Sequence, residues 1–296
     1  MTSAAPFKPQ TLATILAGGV IALAKTSDSA RADSQILLAH ALGRDREWLV
    51  SNAETFLNRP QVEKYQTLVE RRAAGTPIPY ILGSAWFYGR EFTVNDRVLI
   101  PRPETEHLVD EAVAFLRARV NPDLPKALLT VLDVGVGSGA IGCSIAAEVP
   151  NAAIAGTDMS AAAIKVAEHN ARRLNVHARC KFYVGDLAGP VLERRYDVLV
   201  ANLPYIPSAD VPAAPNPVAF EPREALDGGP DGLNHYRRLL MGAADLMRPG
   251  GLLLLEAAPP TMDGLEDLAR AAFPHSKVEV RSDYAGFPRY VKVKAS

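Results

Sequence analysis

The chain has 296 residues, with 32 Lys and Arg against 33 Asp and Glu, a balance of −1 that offers no bulk field for capturing a nucleic-acid backbone. Its length and its 48% apolar content suit a globular protein of two unequal domains. Cys143 and Cys180 are far apart in sequence and lack C-x-x-C spacing, so neither a disulfide framework nor a zinc site is implied, and a reducing, cytoplasmic setting is expected.

Residues 1–78 read as a small all-α domain. The first helix is predicted from Thr11 to Lys25. Its apolar run is too short to span a membrane. A single Lys8 ahead of it and two interrupting glycines favour a packed helix over a signal peptide. A second helix follows from Ser29 to Leu42, with Ile36, Leu37, Ala39, His40 and Leu42 as core positions and Gly43 as its stop. Glu47 to Val50 is a short turn of helix, and Gln61 to Ala74 has apolar residues at helical spacing. No chemistry is visible in this segment.

Residues 79–103 change character. Ala85 to Val94 reads as a β-hairpin turning at Gly89-Arg90, which makes the segment a hairpin linker. Phe87 in its aromatic cluster is expected either in inter-domain packing or against substrate. In Pro101-Arg102-Pro103-Glu104, proline and acid announce a helix N-terminus. Arg102, Pro103 and Glu104 are candidates for an active-site wall, and the helix they open is predicted from Glu104 to about Val120.

The second domain, 104–296, centres on a β-branched strand, Leu128 to Val134, that runs into Gly135-Val136-Gly137-Ser138-Gly139 and then a helix to Glu148. Strands at Ala152–Asp158, Lys181–Gly185, Tyr196–Ala201 and Gly251–Glu256 alternate with helices at Ala161–Leu174, Leu233–Met247 and Met262–Ala272. That alternation is the pattern of a parallel doubly wound sheet. Lys277–Arg281 and Arg289–Val293 are expected to close it as an antiparallel hairpin.

Ligands of such sheets bind at the carboxyl ends of the strands, where this chain puts Asp133, Asp158, Asp186 and Asn202. Gly137 to Gly142 also matches the dinucleotide fingerprint G-x-G-x-x-G, so a nicotinamide oxidoreductase is a competing reading. Asp133 beside the loop is awkward for a pyrophosphate and suits a cationic ligand such as S-adenosylmethionine. Gly135, Gly137 and Gly139 let the backbone approach that ligand. Asp158 is positioned to accept from a ribose diol, with Met159 in the same subsite. Asp186 is placed to accept from the adenine amino group while Leu187 offers its N–H to the ring.

Asn202-Leu203-Pro204-Tyr205 separates the two readings, because hydride transfer has no use for it. A planar NH₂ group is a poor nucleophile whose two N–H bonds need acceptors. The Asn202 side-chain oxygen and the Leu203 carbonyl supply two, Pro204 stiffens the turn and Tyr205 packs over the planar group. Alignment and desolvation then carry methyl transfer without a general base. A binding protein without catalysis would have no evident use for this turn.

With these residues in view, the chain resembles the protein-(glutamine-N5) methyltransferases, and most of all their release-factor-specific members. The resemblance runs over nearly the whole chain, through Tyr80-Ile81-Leu82-Gly83, Phe87 to Val94, Ile100 to Glu106, the glycine loop, Asn202 to Tyr205 and Phe220 to Leu226. It implies a class I adenosylmethionine-dependent methyltransferase fold, Rossmann-like with a terminal antiparallel hairpin, behind a helical domain that recognises the substrate. It also implies a catalytic set Asn202, Leu203, Pro204 and Tyr205, and a substrate wall that takes in Phe87, Arg102, Pro103, Glu104, Asn202, Tyr205 and Glu221. The implied reaction methylates the glutamine of a Gly-Gly-Gln loop in a peptide chain release factor, with no metal, membrane or nucleic acid involved. A ribosomal-protein glutamine, or an RNA or DNA adenine at N6, remains the alternative. Leu203 stands where the family usually has Pro, and the same four-residue pattern occurs in enzymes that methylate adenine. Glu256-Ala257-Ala258-Pro259-Pro260 replaces the family's Ile-Gly pair and Gln after the fifth strand.

Overall fold

The computed structural model describes residues 8–120, 128–213 and 216–296. They form two compact units, one running to Gly83 and including Pro212–Phe220, the other comprising Ser84–Val211 and Glu221–Ser296. The division lies a few residues beyond 78. The hairpin expected as a linker over 79–103 belongs to the second unit, because Phe87 and Phe92 are seated in that unit's core.

The first unit contains β1 (Gln10–Thr11), α1 (Leu12–Leu23), α2 (Ala30–Leu42), α3 (Arg46–Ser51), β2 (Phe56–Leu57), α4 (Arg59–Ala73) and α5 (Ile78–Leu82). Local chemistry sets its helix ends. Asp45 accepts from the Trp48 N–H at 2.7 Å, and Asn58 and Gln61 form a reciprocal capping box that opens α4. Gly43 ends α2 in the left-handed region. Leu12, Leu37, Leu38, Leu49, Tyr65 and Ile81 meet in one core. Arg72 and Asp33 pair at 2.7 Å within it, and the hydroxyls of Ser27 and Ser29 also donate to Asp33. Two expectations change here. His40 is exposed, because Leu37, Leu38 and Ala41 take the inward face of α2. The segment also holds a small antiparallel β1–β2 pair, since two-residue strands show no alternating run in a sequence.

In the second unit β3 (Ser84–Phe87) and β4 (Arg90–Thr93) form a hairpin. Its turn residues are Tyr88 and Gly89, at φ +50° and +68°, one position earlier than expected. Two successive left-handed residues match the twist of the flanking strands, and the Tyr88 N–H is held by Glu106 at 2.7 Å. A 3₁₀ turn, Pro103–Thr105, precedes α6 (Glu106–Arg117). Then come β5 (Leu129–Val134), α7 (Ala140–Glu148), β6 (Ala152–Asp158), α8 (Ala161–Arg173), β7 (Cys180–Val184), β8 (Tyr196–Ala201), α9 (Asn234–Ala243), β9 (Met247–Glu256), α10 (Pro259–Ala272), β10 (Lys277–Ser282) and β11 (Pro288–Lys294).

Seven strands make the sheet in the order β10-β11-β9-β8-β5-β6-β7. β5 to β9 pair in parallel, and β11 runs antiparallel between β9 and β10. Strand alternation feeds two cores. Val131, Val198, Val200, Leu252 and Leu254 face α6 and α7, whereas Leu132, Leu199, Leu253 and Leu255 face α9 and α10. Both sheet faces are thus covered, which is why the parallel strands read as continuous apolar runs. The helix expected from Leu233 to Met247 stops at Ala243, and β9 starts at Met247. The cause is strand pairing: Tyr196 donates to the Leu246 carbonyl at 2.8 Å and lies opposite Met247. Cys143 and Cys180, distant in sequence, are neighbours in the buried core with both thiols free. No helix among the described residues is long and apolar enough to cross a membrane.

Candidate active site

β5 ends in a loop whose glycines take left-handed angles, with φ +77° at Gly135, +51° at Gly137 and +80° at Gly139. Four of the loop's N–H groups are taken up within the protein. Gly135 and Val136 donate to the Thr157 carbonyl at 2.9 and 3.0 Å, and Gly139 donates to Val136 at 2.8 Å. Gly137 donates to Asp158 at 2.9 Å. Asp158 also accepts from Ser160 at 2.9 Å, and burial pushes its carboxyl above the usual range. The carboxylate is therefore pinned between the loop and the start of α8.

Loop and strand ends enclose a cavity of about 430 Å³, within the span of small-molecule sites, about 300–1,000 Å³. Gly135, Gly137, Asp158, Met159 and Leu187 line it. Arg102, Asn202, Leu203 and Pro204 line it as well, with Leu203 against Gly135. Leu187 adopts φ +47°, an uncommon angle for a side chain of its size.

Other expected residues lie elsewhere. Asp133 is buried beneath the loop rather than in the cavity wall; its Oδ2 accepts from Gly142 at 2.9 Å, and its Oδ1 has no partner. Burial raises its carboxyl to about 7. Gly139 also stands outside the wall, where α7 meets α8; a Cβ there would approach the Ala167 Cα to 3.2 Å. Asp186 points away from the cavity and pairs with Arg238, a partner that sequence spacing does not reveal. Phe87 is fully buried against Phe92, with ring centroids 6.1 Å apart, so it packs the core instead of meeting substrate. Pro103 is exposed in the turn before α6. Glu104 and Tyr205 lie behind the cavity near Glu256; burial, with Glu256 beside it, pushes the Tyr205 phenol well above its ordinary value.

Glu221 is a supporting group. One carboxylate oxygen accepts from the Ile100 N–H at 3.0 Å and the other pairs with Arg102. It is 5% exposed. This joins the two stretches that carry the family resemblance across more than a hundred residues of sequence, and sets Pro101 and Arg102 against the cavity.

The turn after β8 is braced from several sides. Asn202 Nδ2 donates to Thr105 Oγ1 at 3.1 Å. Leu203 donates its N–H to the Tyr236 hydroxyl at 3.0 Å; that hydroxyl lies 3.3 Å from the Leu203 carbonyl and closer to the Glu256 carbonyl, to which it donates. Ile206 pairs with Leu226 and Gly228, which fixes the chain beyond Tyr205. Asn170, buried in α8, ties Thr93 to the Ser138 carbonyl of the glycine loop. Nothing in the sequence marks Thr105, Tyr236, Glu256 or Asn170 as a residue of the site. Each acts through a partner at the far end of a long loop closure, and no local spacing marks it.

Two family models match the chain: a PrmC N-terminal domain over residues 14–83 and a methyltransferase small domain over residues 105–214. A release factor glutamine methyltransferase from Moorella thermoacetica is 41% identical over 93% of this chain and 92% of its own length. The chain belongs to the release factor glutamine methyltransferase family. Another member, from Geobacter sulfurreducens, is 42% identical over 78% of each chain. A methyltransferase structure from Pyrococcus furiosus superposes with a TM-score of 0.50 at 17% identity, covering 70% of this chain and 90% of that one, which speaks to the fold alone. The class I methyltransferase fold with a helical N-terminal domain is thereby established, as the sequence implied. Among the described residues no group of His, Cys, Asp or Glu is arranged to hold a metal.

Proposed function

We propose that the chain transfers a methyl group from S-adenosylmethionine to the side-chain amide nitrogen of the glutamine in the Gly-Gly-Gln loop of a peptide chain release factor. When bound, S-adenosylmethionine supplies a sulfonium methyl, an electrophile. The residues present fit that cofactor better than a dinucleotide. The cavity-wall amides of Gly135, Val136 and Gly137 are committed to Thr157 and Asp158 and so are not offered to a pyrophosphate. Gly135, Gly137, Asp158, Met159 and Leu187 would hold the cofactor, Asp158 by accepting from hydroxyl groups.

The observation that carries the reading is the set of Asn202. Its nitrogen is tied to Thr105, which leaves the Oδ1 atom as its acceptor in the cavity wall. Together with the Leu203 carbonyl it would receive both N–H bonds of a primary amide and hold its nitrogen in line. Pro101 and Arg102, braced by Glu221, line the same cavity.

The test is mass spectrometry of purified release factor incubated with enzyme and S-adenosylmethionine. One added methyl is expected on the Gly-Gly-Gln glutamine, and none when that glutamine is replaced by glutamate. Labelling of the glutamate variant, or only of a ribosomal protein or rRNA, would reject the reading.

A further inference from the structure

Glu256 closes β9 at 1% exposure. Its Oε2 is buried without a hydrogen-bond partner. A buried carboxylate with an unsatisfied oxygen is costly, and a neutral residue would pack there at less cost. The Thr105 hydroxyl and the Asn202 carboxamide lie beside it, and the Asn202 nitrogen is already bonded to Thr105. Rotating the Asn202 amide by half a turn would bring its oxygen against this carboxylate. Two oxygens, one of them anionic, would then face each other without a proton in a region of low dielectric.

We propose that Glu256, acting with Thr105, is a positioning residue that locks the Asn202 carboxamide with its nitrogen toward the protein and its oxygen toward the cavity. The active site is thereby committed to substrates that donate an N–H. The inference rests on the reading of Asn202 as the acceptor for the reacting amide. An Asn alone is ambiguous, since either end of its amide fits the same space; a neighbouring anion removes the ambiguity.

The lock depends on the charge of Glu256. The groups facing it are Glu104 from the turn before α6, Tyr205 beyond β8, Tyr236 from α9 and Arg289 from β11. Burial outweighs the pull of Thr105, Arg289 and Asn202 and leaves the carboxyl at about 7. Above that pH the group only accepts, and the lock is engaged. Below it the acid has a proton to donate, so the flipped amide is no longer repelled and kcat falls.

E256Q tests this, because a glutamine both donates and accepts. Its kcat is expected to drop roughly tenfold to a hundredfold through misalignment of the reacting amide. Cofactor affinity by calorimetry should be unchanged, and thermal stability not reduced. The acid limb of the wild-type kcat profile, centred near the Glu256 value of about 7, should vanish. In cofactor-free protein the Asn202 side-chain ¹⁵N resonance should titrate through the same range in wild type and stay flat in E256Q; E256D should restore part of the rate. An E256Q enzyme with wild-type kcat and an unaltered pH profile, or an Asn202 resonance that titrates equally in both proteins, would overturn the proposal. Failure of the wild-type enzyme to label a glutamine would instead reject the reading of function, and the resonance titration would still decide the lock.

Discussion

At the scale of single residues, Asn202 and Asp158 have separable roles. Asp158 holds Gly137 and Ser160 at 2.9 Å each and still borders the cavity. A charge-assisted hydrogen bond to a ligand hydroxyl contributes about 1.5–3 kcal/mol. Asp158→Ala is therefore expected to weaken S-adenosylmethionine roughly tenfold to a hundredfold in calorimetry. Unchanged affinity in a folded variant would remove Asp158 from the cofactor site. Asn202 is tied to Thr105 and not to the glycine loop, so its loss should be felt in turnover. Asn202→Ala should lose on the order of 10²–10³ in kcat while binding cofactor almost normally, as when one preorganised partner of a reacting group is removed. Steady-state kinetics beside calorimetry makes the distinction, and wild-type turnover would reduce the turn to a structural one.

At the scale of elements, the cavity wall depends on a contact between segments far apart in the chain. Glu221 carries a side chain only 1% exposed, and its cationic partner Arg102 is 32% exposed. Breaking a fully buried pair costs about 3–5 kcal/mol because one charge is left uncompensated. With one partner about a third exposed, Arg102→Ala should cost less, roughly 2 kcal/mol. Urea denaturation measures it, and a double variant carrying Glu221→Gln should recover most of the loss, since a neutral amide still accepts from Ile100 and needs no cation. An Arg102→Ala variant as stable as the wild type would show that the pair contributes nothing. The same contact holds Ile100 and Arg102 in place ahead of the Pro103–Thr105 turn that leads into α6.

At the scale of the whole molecule, two buried carboxyls shape the pH dependence of stability. Asp133 and Glu256 are both raised to about 7 by burial. A carboxyl with a folded-state value above its unfolded one, about 4, binds a proton in the native chain that the unfolded chain has released. Stability therefore falls as pH rises between those values, by up to about 1.4 kcal/mol per pH unit for each group. The urea midpoint should be higher near pH 5 than near pH 8, and Asp133→Asn or Glu256→Gln should each flatten the change. A midpoint that climbs over this interval would contradict the burial of these groups as ionisable acids. Acidification would thus stabilise the fold while releasing the lock on Asn202, so activity and stability should move in opposite directions below neutrality.

The alternation of β-branched runs with helical periodicity, and the glycines after Val134, determined the doubly wound sheet and its ligand edge without further help. Those signals are local: a strand buried on both faces must be apolar throughout, and a sharp turn at a strand end needs residues without a Cβ clash. That Asn202 to Pro204 stand at the same edge was legible for the same reason, since they follow one strand directly, whereas Tyr205 lies behind the cavity. The tertiary structure alone decided which acids reach the cavity. Asp133, Asp158 and Asp186 look equivalent as strand-end acids, yet Asp133 turns under the loop to Gly142, Asp186 pairs outward with Arg238, and only Asp158 lines the cavity. Phe87 likewise packs inward because the core of α6 and α7 offers it more apolar contact than the site. Thr105, Tyr236 and Glu256 converge on the Asn202–Leu203 turn from three separate elements. Their role exists only after the chain has closed over those distances, since orientation and burial are properties of packing and not of neighbouring residue types.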